Sequence, residues 1–171
     1  HTYTNQLCTR CHVPNEKQPT GFDTPDHHFH QSGTKGAQCV ECHMPHKTYM
    51  GIDDRRDHSI RIPRPDHTVK FGTPNACNQC HTDKDAQWAA DEIARRKGPN
   101  RPKDVRHPQA FHAFRTGKPE AEELLMETCR DPESPAFTRA GAMLALRQFM
   151  SEASFDEARR NLDANDSVVR V

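Results

Sequence analysis

Hydrophobic and polar positions follow two different regimes along the chain, and the change falls near residue 83. Up to that point apolar residues recur with no helical or strand period, and the stretch holds most of the prolines and glycines, so it predicts irregular loop broken by brief helices. Beyond it the pattern becomes helical. "DKDAQWAADEIARRKG" has an acidic start, apolar Trp88, Ala89 and Ile93, a basic end and Gly98 as a stop. "PNRPKD" then reads as a linker. After it "HPQAFHAFRTG", "PEAEELLMETCR", "SPAFTRAGAMLALRQF" and "SFDEARRNLDA" predict four short amphipathic helices separated by Pro, Gly and Asp.

A weak internal repeat runs through the helical half. "DPESPAFTRA" and "DANDSVVRV" share a leading Asp, a polar turn and an apolar pair before Arg, and Arg139 and Arg170 are 31 residues apart. That period suits HEAT-like helix pairs, which need about three units to bury their faces. The competing expectation is a small helical bundle without repeats. Since barely one and a half units are present, and the chain stops at "SVVRV" like a helix just begun, both ends are expected to continue. The predicted fold class is mainly α with much irregular loop, divided into domains at 1–98 and 99–171.

Composition sharpens the contrast. Only 33% of the residues are hydrophobic and 6% aromatic, so a conventional apolar core is expected to be thin. Yet seven Cys and twelve His are not the composition of a disordered segment, so a non-protein group is expected to supply order. Acidic and basic residues balance at 24 each, which leaves no electrostatic footprint for nucleic acid. The longest apolar patch, around "AGAMLAL", is far short of a bilayer span.

Six of the seven cysteines repeat one pattern: Cys8-Thr-Arg-Cys11-His12, Cys39-Val-Glu-Cys42-His43 and Cys77-Asn-Gln-Cys80-His81. Two thiols three positions apart can each add to a vinyl group on one haem edge, and the His that follows reaches the iron as proximal ligand. Covalent attachment answers the thin core, because a fixed porphyrin is itself a hydrophobic centre. The pattern therefore predicts three haems c. Zinc would also accept C-x-x-C pairs but closes its site with a second pair or with His at variable spacing. A disulfide framework needs no following His, and a thioredoxin-like motif needs a βαβ context that is missing. Cys129, outside any motif on an amphipathic stretch, is expected to be a buried core residue.

Nine histidines remain outside the motifs. A second His on each iron makes a low-potential carrier, a Met raises the potential, and an empty position admits a substrate. The surplus favours His, with His30, His27 and His58 as leading candidates for distal ligands and His1 next. Each also has a plain reading as a solvated or hydrogen-bonding imidazole. His28, His46 and His67 are expected to be bystanders, and His107 and His112 to have surface or packing roles. Met44 follows His43 too closely to reach the opposite face of the same haem, and Met50 is a weak candidate. Arg55, Arg56, Arg61 and Arg64 suit haem propionates or, more simply, form a solvated charge run.

The stretches "DHHFHQSGTKGAQCVECHMP", "YMGIDDRRDHSIRIPRPD" and "GTPNACNQCHTDKDAQWAADEI" resemble multihaem c-type cytochromes that carry helical repeats after the haem domain. The resemblance covers about residues 22–93. It implies periplasmic or extracellular electron transfer with ligands at His27, His30 and His58, and a further upstream C-x-x-C-H of which His1 would be the adjoining remnant. The expected function is relay of single electrons between redox proteins or other cytochromes. The alternatives are a reductase or oxidase of small nitrogen or sulfur compounds with one open axial site, and a subunit of a homo-oligomer or extracellular cytochrome filament.

Overall fold

A computed structural model describes residues 5–16, 18–98 and 106–170. His1 and the "PNRPKD" linker lie outside the described residues. The chain divides into two compact units, His1–Pro99 and Asn100–Val171. Among the described residues the secondary structure is mainly helical.

The first unit is a succession of short elements: α1 (Gln6–Thr9), α2 (Pro25–His28), α3 (Cys39–His43), β1 (His46–Tyr49), β2 (Asp53–Arg56), α4 (Pro65–Phe71) and the longer α5 (Ala86–Lys97). Single 3-10 turns at Lys35–Ala37 and Cys77–Gln79 complete it. The two strands form an antiparallel hairpin with His46 opposite Arg56 and Tyr49 opposite Asp53. This hairpin is not anticipated by the hydrophobic pattern, because β1 is exposed along its whole length and β2, all charged residues, has none buried, leaving no apolar alternation to read. Its only local sign is the tip, where Met50 and Gly51 both take positive φ (52° and 79°). Met50 is 80% exposed there.

Helix α5 starts where its caps dictate. Asp85 accepts a hydrogen bond from the Trp88 N–H at 2.7 Å, and Gly98 ends the helix at φ 72° behind Arg95, Arg96 and Lys97.

The second unit holds α6 (Arg106–Arg115), α7 (Ala121–Arg130), α8 (Ala136–Leu146) and α9 (Glu152–Leu162). Helices α6, α7 and α8 pack in succession and α9 packs on α7, around a core of Ala110, Leu125, Cys129, Ala142, Met143, Ala145 and Leu146, with Phe111, Phe114 and Phe149 at its edge. Cys129 is 3% exposed, and burial raises its thiol to about 12. The buried Glu157 carboxylate is held by Arg130 Nε at 2.7 Å, Arg160 at 3.1 Å and Asn161 Nδ2 at 3.0 Å, which keeps its charge partnered. Ser151 and Ser154 form a reciprocal capping box at the start of α9. His107 and His112 are half-buried on α6.

Candidate haem sites

Each of the three C-x-x-C-H motifs folds as a single helical turn. The His12 N–H donates to the Cys8 carbonyl at 2.9 Å, the His81 N–H donates to the Cys77 carbonyl at 2.9 Å, and Cys39 to His43 is itself α3. In such a turn positions i, i+3 and i+4 share a face, so both thiols and the imidazole of each motif project together. All six cysteines are free thiols, none tied in a disulfide.

The motifs also adjoin one another. Asn5, just before α1, accepts from the Cys39 N–H at 2.9 Å and donates to the Ala37 carbonyl at 2.9 Å, tying the first motif to the second. Gln79 Nε2 donates to the His46 carbonyl at 2.7 Å, tying the third motif to the chain just after the second. Burial raises the Cys39 thiol to about 11, with the Cys8 thiol beside it adding to the effect. Cys42 is raised to about 11 by burial and then by Cys77, Glu41 and Cys80.

Imidazoles come together in pairs. The His27 and His43 rings have centroids 6.2 Å apart and planes 15° from parallel. His30 and His81 rings are 6.0 Å apart at 32°. With a metal–imidazole bond of about 2 Å and a nitrogen about 1.2 Å from its own ring centre, two imidazoles on opposite sides of one metal have centroids about 6.4 Å apart. Among the described residues no group of three or more His, Cys, Asp or Glu is arranged to hold a bare ion. The donor set is therefore pairs of imidazoles, as suits an iron whose other four ligands belong to a porphyrin, and not the four donors of a zinc site.

Hydrogen bonding selects which nitrogen is free. His43 Nδ1 meets the Arg61 carbonyl at 2.9 Å, His30 Nδ1 meets the His28 carbonyl at 2.5 Å, and His58 Nδ1 meets the Arg56 carbonyl at 2.8 Å. A carbonyl can only accept, so each Nδ1 carries the proton and each neutral ring keeps its lone pair on Nε2, the arrangement of an oriented metal ligand. His28 is the reverse: its Nδ1 accepts the His30 N–H at 3.2 Å, so its buried Nε2 bears the hydrogen. His27 is lowered to about 4 by burial, then by Lys97 and His43, which keeps it neutral at neutral pH.

Other sequence candidates separate clearly. His46 lies 2.9 Å from Asp54 on the hairpin, and His67 lies beside Asp66 and Phe71. His58 is exposed and faces no other imidazole among the described residues, and the exposed His12 ring lies 5.6 Å from that of Phe22. Arg56 pairs with Glu41 at 2.5 Å and donates to the Val40 and Met44 carbonyls, bracing α3 against the hairpin. Arg64 forms a bidentate pair with Asp66, and Arg55 pairs with Asp53, so protein carboxylates already engage three of the four arginines. Residues that sequence reasoning passed over are Phe22, Phe29, Gly36 and Asn5, none of which carries a motif.

The first unit also has the surface a large apolar group would cover. Its buried apolar side chains, among the described residues, are Ala37, Pro65, Ala76 and Ala89, while Leu7, Ile52, Ile60 and Ile62 are more than 60% exposed. The residues present fit covalently held haem on three counts: shared-face thiols, paired imidazoles and uncovered apolar walls.

Comparison with protein families matches residues 22–145 to cytochrome c552. The chain belongs to the cytochrome c552 family. The match takes in the second and third motifs and runs into α8, while the first motif precedes it. No curated protein and no solved structure matches the chain. Family membership makes this cytochrome a haem protein with covalently bound haem c and a role in electron transfer with redox partners. No helix among the described residues is long and apolar enough to cross a membrane.

Proposed function

We propose that this cytochrome carries three haems c and relays single electrons between redox proteins outside the cytoplasm, in the periplasm or at the cell surface. Cys8 and Cys11, Cys39 and Cys42, and Cys77 and Cys80 would hold the porphyrins by thiol addition to vinyl groups, with no oxidant or reductant needed. His12, His43 and His81 would be the proximal ligands. Bound haem supplies an iron that takes up and releases one electron. The observation that carries the reading is the pair of imidazole couples, His27 with His43 and His30 with His81, each at the separation of two ligands on one metal. The Nδ1–H bonds of His43 and His30 to backbone carbonyls hold those rings in place, so little rearrangement accompanies a change of charge.

The second motif adjoins both others, which supports an order of transfer from first to second to third. His58, with Nε2 left free on an exposed face, is the remaining distal candidate among the described residues, with His1 beyond them, and His12 is the remaining proximal one.

The domain reading extends this. Residues 1–98 form the trihaem domain and 99–171 a HEAT-like region offering a docking surface. Helix α8 begins 30 residues after α6, and α9 begins 31 after α7, the spacing of two stacked helix pairs.

Intact mass of the exported protein tests the assignment: three haem additions are expected, and fewer would end it. One observation favours a second reading, a reductase of small nitrogen compounds: the exposed His12 ring, which packs edge-on against Phe22. Cyanide binding to one haem alone would favour that reductase, and three inert low-spin haems the carrier.

A further inference from the structure

His27 and His30 are three residues apart, yet their rings serve two different partners, His43 and His81. Had α2 continued through position 30, the two rings would lie on one helix face and reach for the same place. The chain is diverted at Phe29, which adopts φ 64° and ψ 14°, a left-handed conformation that strains any residue but glycine.

An aromatic residue is held in that conformation by the far end of α5. The Arg96 guanidinium lies 5.0 Å and the Lys97 ammonium 4.8 Å from the Phe29 ring centre, and Lys97 Nζ also donates to the Asp26 carbonyl at 3.4 Å. Nine residues earlier the same helix sets Trp88 4.9 Å from the His81 ring. One helix thus contacts His81 itself and Phe29, the residue before His30, spanning about 13 Å between Trp88 and Lys97 at the usual helical rise.

The seat of the His30 ring is equally specific. A Cβ at position 36 would come within 2.7 Å of His30 Cγ and 2.8 Å of Nε2, with Cδ2 closer still. Gly36 does not need glycine for its backbone, since its φ is outside the left-handed region; it needs the missing side chain. The ring cannot simply retreat, because its Nδ1–H is tied to the His28 carbonyl at 2.5 Å.

We propose that Gly36 and Phe29 are positioning residues that set His30 against His81, so that the four-residue stretch His27–His30 feeds two irons. This rests on the reading of His30 as the distal ligand of the iron held by His81. The test uses the full-length haem-loaded protein and counts low-spin and high-spin haems by optical and EPR spectroscopy, with intact mass and the potential of each haem. Gly36→Ala is expected to convert one haem per chain to high spin, leave the mass and the other haems unchanged, and regain the low-spin spectrum when free imidazole is added. Phe29→Ala should give the same signature in a fraction of molecules, and Phe29→Tyr, which keeps the ring, should match the parent.

His30→Ala separates the two levels. If His30→Ala produces one high-spin haem while Gly36→Ala and Phe29→Ala stay fully low-spin, the positioning role is wrong and the ligand reading stands. If His30→Ala itself leaves every haem low-spin, the ligand reading fails and the proposal with it. Loss of all haem signals together in both Gly36→Ala and Phe29→Ala also overturns it, since the role assigned is local.

Discussion

The two units of this cytochrome, His1–Pro99 and Asn100–Val171, solve the folding problem in opposite ways. The second buries Leu125, Met143, Leu146 and small residues between helices whose apolar faces supply the driving force. The first buries three alanines and Pro65 and is held by turns, caps and side-chain hydrogen bonds such as those of Asn5, Asn78 and Arg56. Neutral hydrogen bonds each contribute only about 1 kcal/mol net, too little to replace a core. The lesson is that the first unit lacks a core of its own large side chains, while the second builds one.

The largest effect that could break this contrast is removal of the haem. In a chain made without haem attachment, limited proteolysis should cut throughout residues 5–98 and spare 106–170, and far-UV circular dichroism should retain a cooperative transition from the second unit alone. Equal protection of both units would show that the first does not depend on haem.

A smaller effect sharpens the other side. Leu125→Ala removes a fully buried side chain from the α7 face and should cost the second unit about 2–5 kcal/mol, read by thermal unfolding. The haem spectrum should not move.

The smallest expected effect lies in acid. Hydrogen bonding from Arg64 lowers the Asp66 carboxyl to about 2, against a value of about 4 in an unfolded chain. A group lowered on folding contributes stability that is present above its unfolded value and lost as pH falls towards the folded one. Amide exchange across α4 should therefore accelerate between about pH 4 and pH 2, and Asp66→Asn should remove that dependence. Because Asp66 is partly exposed, the change should be modest.

Much of the helical architecture was legible from pattern. Helices α5 to α9 follow from 3.6-residue periodicity, with an acidic start and Gly98 as the end signals of α5, because local apolar spacing and capping act over a few residues; the Ser151 cap of α9 was not read from the sequence. The hairpin was not, since neither strand has a buried face to impose alternation. Nor could the fates of Arg56 and Arg64 be read as a run of charges: Glu41 and Asp66 claim them through folding.

The sequence by itself determined where two thiols and an imidazole at i, i+3 and i+4 come together within one turn, the arrangement the proposed haem attachment uses. It also set a loop-rich stretch apart from a helical one. Only the tertiary structure decided which rings the surplus histidines face. His27 faces His43 and His30 faces His81 because Phe29 turns left-handed under Arg96 and Lys97 and because Gly36 leaves room for a ring. These are contacts between residues up to 68 positions apart, as Phe29 and Lys97 are, and no local spacing encodes them.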